Sequence, residues 1–326
     1  MLRDEKAGFG GGTLWFALIS LLVGAPGYFL LPAADPQPVE MARVPSYSEG
    51  IVFDHEGNAY ISHGRYITQV SLQGGSSVLT SIWAETGAPN GHKVLADGTH
   101  LVCDASRHAV LRLDRNGKVV GEASNQCDGK PLRGPNDLTL DPQGGFYFTD
   151  PGGSEKEPIG TVHYVDPGGV THLVAKGFLY PNGIVLRPDG KTLLVAESVR
   201  NRILEFPVTA PGKVGPMKVF ANLPAKSGEQ IDNQPDGMAL DTQGNLYVAH
   251  FGMRQVQVLD VNGQLIRRLP GGNLTTSNVA FAGPRMDQLF ITGALGASSG
   301  TPGALFRLEL PGVEGLRILP PKAAAP

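Results

Sequence analysis

Glu49-Gly50-Ile51-Val52-Phe53 opens a pattern that returns at Asn90-Gly91-His92-Lys93-Val94, Asn136-Asp137-Leu138-Thr139-Leu140, Asn182-Gly183-Ile184-Val185-Leu186, Asp236-Gly237-Met238-Ala239-Leu240 and Ser277-Asn278-Val279-Ala280-Phe281. The openings lie 41, 46, 46, 54 and 41 residues apart. Each is followed by a turn signal (Glu56-Gly57, Asp97-Gly98, Gln143-Gly144, Asp189-Gly190, Gln243-Gly244 and a less regular Pro284-Arg285), then by a run of aromatic and branched residues: AYIS, HLVC, FYFT, LLVA, LYVA, LFIT. A third such run and a shorter fourth complete each unit. Branched and aromatic runs bounded by Gly, Asp and Asn read as strands joined by hairpins. Four strands in a unit of this length, repeated six times, predict an all-β fold, a six-bladed β-propeller with four-stranded antiparallel blades. A sandwich would not repeat six times, and a parallel β-helix would need shorter repeats without hairpins. The pattern leaves the closure of the ring open: Leu316 to Leu319 reads as a fourth strand for the last unit, with Val44 to Ser48 as a covering strand.

Composition agrees with a folded, turn-rich chain. The 326 residues include 44 Gly and 26 Pro, are 41% hydrophobic and only 17% charged, which excludes a disordered chain and a coiled coil. A net charge of −3 lacks the basic footprint of nonspecific nucleic-acid binding. Cys103 and Cys127 are too few for a disulfide framework and have no zinc spacing; they form one bridge or stay as two buried thiols. Ahead of the repeats, Arg3 and Lys6 precede an apolar run from Leu14 to Leu31, long enough to cross a bilayer as a helix of about 18 to 20 residues. A site of A-x-A type is poor here, which favours an uncleaved signal-anchor, and through it membrane attachment, over a cleaved signal. Either way the rest of the chain is exported. The expected domains are a leader and linker over 1–38, an N-terminal hydrophobic segment, and the propeller over 39–326.

The residue before each innermost strand occupies the same place in every blade, so Glu49, Asn90, Asn136, Asn182, Asp236 and Ser277 should meet at one end of the central channel. All six offer a side-chain oxygen, and none is His or Cys. Calcium takes about six to eight oxygens in flexible geometry, magnesium demands a near-octahedral cage, and zinc prefers nitrogen or sulfur. Ca2+ is therefore the expected cofactor, one ion in the channel. Asn-Gly and Asp-Gly are also ordinary turn residues, but Glu49 is not, and six in register point to a site.

At these residues the sequence resembles the gluconolactonase and regucalcin (senescence marker protein) family of calcium-dependent six-bladed propellers. The likeness is carried by Ser48-Glu49-Gly50-Ile51-Val52-Phe53-Asp54, by Gly134-Pro135-Asn136-Asp137-Leu138 with Phe148-Thr149-Asp150-Pro151, by Pro181-Asn182-Gly183-Ile184, and by Pro235-Asp236-Gly237-Met238-Ala239-Leu240-Asp241. It implies that the metal is held by Glu49, Asn136, Asn182 and Asp236, with Asp236 also guiding or accepting the proton of a catalytic water. Asn90 and Asn136 are expected to contact substrate. His92 stands where many members have Leu and reads as a substrate contact, a general base or a buried spacer. The Arg that orients a sugar acid in animal members is replaced by Gly134, with Arg133 one residue away, and the Asn of the bacterial N-S-P-N-D pattern is also absent.

The expected function is a calcium-dependent hydrolase opening a lactone, as gluconolactonases do, or an ester, by metal-activated water. The partner is a small-molecule lactone or ester. The alternative is a non-catalytic, calcium-stabilised propeller that binds a protein or carbohydrate. Gly296-Ala297-Ser298-Ser299-Gly300 matches a nucleophile-elbow pattern, but no His follows Ser298 and the stretch reads as a loop.

Overall fold

The computed structural model describes residues 36–72 and 78–322, and among these every regular element is a strand. Six antiparallel sheets each take four sequential strands or their equivalent. Blade 1 runs through Ser48–Phe53, Ala59–His63, Tyr66–Ser71 and Leu79–Glu85, and blade 2 through Pro89–Val94, His100–Asp104, Ala109–Leu113 and Val119–Ser124. Blade 3 uses Leu138–Leu140, Phe146–Asp150, Gly160–Val165 and Thr171–Phe178. Blade 4 uses Pro181–Leu186, Thr192–Glu197, Arg202–Ala210 and Lys218–Asn222, and blade 5 uses Gln234–Leu240, Leu246–Phe251, Gln255–Leu259 and Leu265–Pro270. The sixth blade holds Thr275–Ala282, Gln288–Ala294 and Gly303–Glu309, and its outer strand comes from the other end of the chain: Val39–Val44. The predicted six-bladed propeller is the observed fold.

Closure differs from both expectations at the last unit. Val39–Val44 pairs antiparallel with Gly303–Glu309, with Val44 opposite Gly303 and Val39 opposite Arg307. Leu316 to Leu319 is not a strand. This segment crosses the far end of the channel, tied by Leu316 N–H to the Leu240 carbonyl (2.8 Å) and by His55 Nε2 to the Pro320 carbonyl (2.8 Å). The edge of the sixth sheet is already taken by the N-terminal strand, so the apolar side chains of Leu316 and Leu319 pack onto neighbouring blades instead.

The D-x-x-G turns that mark the repeat have a local cause. Asp54 accepts the N–H groups of Glu56 and Asn58 on one carboxylate oxygen, while Gly57 bonds back to the Asp54 carbonyl with φ 83°. A side chain at that φ is strained, so Gly follows Asp by three residues. Between the blades the core divides into six apolar clusters, one in each blade–blade interface. Cys103 and Cys127 are separate buried thiols. Residues 1–35, which carry the apolar run, lie outside the described residues; among the described residues no helix is long and apolar enough to cross a membrane.

Candidate active site

Five of the six innermost strands begin with an irregularity at the predicted ring; Leu138–Leu140 of blade 3 pairs regularly. Register shifts lie between Glu49 and Ile51, Pro89 and His92, Pro181 and Ile184, Pro235 and Met238, and Thr276 and Val279. Such bulges re-aim side chains at a barrel or channel rim. The rims also touch. A Cβ added to Gly50 would overlap the Asn90 carbonyl, one on Gly91 would overlap Asp137, one on Gly183 the Asp236 carbonyl, and one on Gly237 the Asn278 side chain. In the four openings where Gly follows the first residue, it is there because the next blade's backbone or side chain fills that space. Gly91 N–H donates to the Asn136 carbonyl (2.8 Å), and Ser277 Oγ donates to the Ser48 carbonyl (2.6 Å), closing the ring from blade 6 to blade 1.

Within that ring Glu49, Asn136, Asn182 and Asp236 are all buried. Burial, with the nearby negative charge of Asp137, pushes the Glu49 carboxyl up to about 7, partly offset by hydrogen bonds from Tyr47, Gly50 and Asn278. Asp236 is driven well above the ordinary carboxylate range by burial first, then by the charges of Glu49 and Asp137, with the Asn182 side chain and Gly237 N–H bonding it. The charge of Glu49 thus acts on Asp236. Tyr47 Oη donates to Glu49 Oε1 at 2.6 Å. Tyr180, at φ 57°, also senses both carboxylates, its phenol raised to about 12 by burial and then by Asp236 and Glu49.

The donor set fits a hard cation. Glu49 Oε2, Asn136 Oδ1 and Asp236 Oδ1 are buried acceptors without a hydrogen-bond partner, three of the nine orphaned side-chain polar atoms among the described residues. An unpaired buried oxygen is costly, and three at equivalent places of the repeat, two of them carboxylates, would be satisfied by a divalent cation with oxygen preference. Among the described residues no group of three or more His, Cys, Asp and Glu side chains is placed to hold a metal; this set differs in taking half of its oxygens from amides.

A model of the SMP-30/Gluconolactonase/LRE-like region matches residues 47–295. The chain belongs to this family. Diisopropyl-fluorophosphatase of Loligo vulgaris is 25% identical over 288 residues, covering 80% of this chain and 90% of that one. A gluconolactonase of Zymomonas mobilis is 30% identical over 218 residues, 62% of this chain and 60% of the other. Among solved structures, a calcium-binding protein of Agrobacterium tumefaciens, regucalcin, superposes with a TM-score of 0.72 at 21% identity, covering 89% of this chain and 98% of that one. The family's enzymes named here are hydrolases, and the chain is counted as one.

Two sequence expectations shift position in the structure. Ser277 does not offer its oxygen to the ring centre, because its hydroxyl is bonded to the Ser48 carbonyl and to Thr292 Oγ1; Asn278, one residue on, bonds Glu49 instead. His92 does not stand at the channel mouth. It is 1% exposed, bonds His100 Nδ1 through Nε2 at 2.7 Å and packs with Tyr60 and Trp83 of blade 1, and burial pushes its imidazole well below the usual range. Of its three readings, the buried spacer is the one its surroundings allow. Asn90 stays at the rim, half-buried, with Ser62 Oγ on its carbonyl (2.8 Å).

Tyr47, Asp137, Tyr180 and Asn278 were not singled out by sequence reasoning. A signal existed for two of them: Asp137 and Asn278 are the openings where the second residue is not Gly. Arg133 is exposed and holds the loop through its N–H to Asp150 Oδ2 (2.8 Å). The Gly296–Gly300 stretch is a turn at the end of Gln288–Ala294, as expected of a loop.

Proposed function

We propose that this chain is a calcium-dependent hydrolase that opens a lactone, or cleaves an ester, with water. What supports this is that Glu49, Asn136 and Asp236, at equivalent places in their blades, each keep a buried side-chain oxygen without a hydrogen-bond partner, and that Asp236 feels the charge of Glu49 and a hydrogen bond from Asn182. Calcium bound there would polarise the scissile carbonyl and bring water beside it. Glu49, Asn136, Asn182 and Asp236 are the residues that would hold it. Asp236 takes the proton of the attacking water, a role calcium makes useful because it acidifies water far less than zinc does. Asn90 and Asn136 orient the substrate from the rim. Tyr47 holds Glu49 in place through its hydroxyl. Tyr180, and Phe251, whose ring meets Tyr47 edge-on at 6.1 Å, limit access of bulk water. Gly134 supplies no side chain for a sugar acid, which turns the choice of lactone away from gluconolactone itself.

The test is hydrolysis of aldonolactones, homoserine lactones, aryl esters and a phosphotriester, with and without a calcium chelator. Chelator-sensitive turnover of one class supports the proposal. Its absence on every class, with calcium still bound, leaves the propeller as a binding module. We further propose, from the apolar run Leu14 to Leu31 alone, that the propeller is exported; a reporter active only outside the cytoplasm, fused after Pro326, checks this.

A further inference from the structure

The rim holds one more carboxylate than the metal set uses. Asp137, 2% exposed, adds its charge to both Glu49 and Asp236. Its oxygens accept N–H groups from Leu138 (2.8 Å) and Ile184 (3.4 Å), so it is tied to the backbone. Opposite it, Lys93 Nζ stands 3.8 Å from Asp137 Oδ1, with the two side chains 14% and 3% exposed. Lys93 is the fourth residue of its opening. The same place in the other five blades is Val52, Thr139, Val185, Ala239 and Ala280, none of them charged, and all six line the channel below the rim. A lysine in such a layer keeps its stem among apolar side chains and its ammonium beside the one group that repays desolvation.

We propose that Lys93 is a built-in counter-cation that fixes the net charge of the rim at that of a divalent site. Glu49, Asp137 and Asp236 bring three negative charges, Lys93 removes one, and the remaining two match one Ca2+. A buried site is most favourable when the ion neutralises it, because residual charge in a water-poor channel is poorly screened. Lys93 is thus a determinant of ion valence, not a metal ligand. This rests on the metal reading given above.

The experiment compares Ca2+ with Tb3+ on the full-length protein. Tyr47 and Tyr180 beside the rim sensitise Tb3+ luminescence, and Ca2+ competition then gives the ratio of the two affinities without any turnover. Lys93→Met leaves three unopposed carboxylates, and the ratio shifts toward Tb3+ on the order of tenfold, the effect of one unit charge across channel-scale distances at an effective dielectric of roughly 20. Lys93→Arg keeps the wild-type ratio. Lys93→Met combined with Asp137→Asn restores the charge of minus two and brings the ratio back, which a purely structural ion pair would not do. Should Lys93→Met fail to fold, Lys93→Gln carries the same comparison. A ratio that stays at the wild-type value in the neutral variant, or that remains shifted in the double variant, overturns the proposal. If the wild-type chain binds neither ion, the metal reading falls first and takes this inference with it.

Discussion

Burial works against the charge of Glu49, and the consequence is measurable in the metal-free protein. Its carboxyl is raised to about 7 in the fold and sits near 4.3 when unfolded, so the folded state binds the extra proton. The stabilisation this gives is complete below the unfolded value and lost as pH rises through about 7. With chelator present, the margin in melting temperature of the wild type over Glu49→Gln should therefore be larger at pH 5.5 than at pH 8, the variant serving as reference because His92, His100, His163 and His250, held below their usual range by burial, impose the opposite pH dependence on both proteins; saturating Ca2+ should raise the wild-type melting temperature most at the higher pH. A margin independent of pH over that range would contradict the burial assigned to Glu49. Glu49→Gln and Asp236→Asn should each abolish the stabilisation by Ca2+, which in the wild type is about 2.7 kcal/mol at a hundredfold excess over Kd. Tyr47→Phe removes a short bond to the Glu49 carboxylate, worth about 1.5–3 kcal/mol for a charged partner, and should weaken Ca2+ binding about tenfold or more by calorimetric titration.

At the scale of the strand, the rim depends on close approach. Gly183→Ala would drive its methyl group into the Asp236 carbonyl, in backbone that cannot retreat without displacing a proposed ligand. Overpacking of this kind costs about 1–3 kcal/mol. Gly121→Ala, on the outer strand of blade 2 with nothing near its added methyl, is the control and should leave stability unchanged or slightly higher. A fall in melting temperature and in Ca2+ affinity for Gly183→Ala alone is the expected outcome of denaturation and titration. This dependence also explains what the sequence makes legible. The repeat of Gly after a polar residue locates the rim because the steric demand recurs in four blades, at Glu49, Asn90, Asn182 and Asp236; Asn136, followed by Asp137, is placed with them by the spacing of the repeat. It does not locate Ser277 correctly, since that opening ends the ring and spends its hydroxyl on the Ser48 carbonyl. Nor does it say which way His92 faces, because the bulge at the rim decouples the first residue of the strand from the alternation beyond it.

For the whole molecule the weak point is the seam. Five blades are continuous stretches of chain, whereas the sixth takes Val39–Val44 from one end and three strands from the other. The repeat could not reveal this, because a six-residue strand without an opening motif resembles a linker, and Leu316 to Leu319 offers a similar apolar run. The seam is held by the strand pairing, by Gly303 N–H to the Ser46 carbonyl (2.9 Å), by Ser48 Oγ to the Gly293 carbonyl (2.8 Å), and by a cluster in which Ile51 and Ile61 of blade 1 meet Phe290 and Leu305 of blade 6. The C-terminal segment adds a second fastening across the far end of the channel, through Leu316 and Pro320. A chain beginning at Val39 should keep the melting temperature of the full-length protein. One beginning at Tyr47 leaves Gly303–Glu309 as a bare edge, which invites pairing between molecules. Its melting temperature should fall on the order of 10 °C, the loss of several kcal/mol in a domain of this size, and light scattering should show association well below that temperature. Ending the chain at Leu310 leaves the edge covered and removes only the far fastening, so it should lower the melting temperature without association. Equal behaviour of the two truncations would mean that the ring is closed by the channel-crossing segment and not by the N-terminal strand.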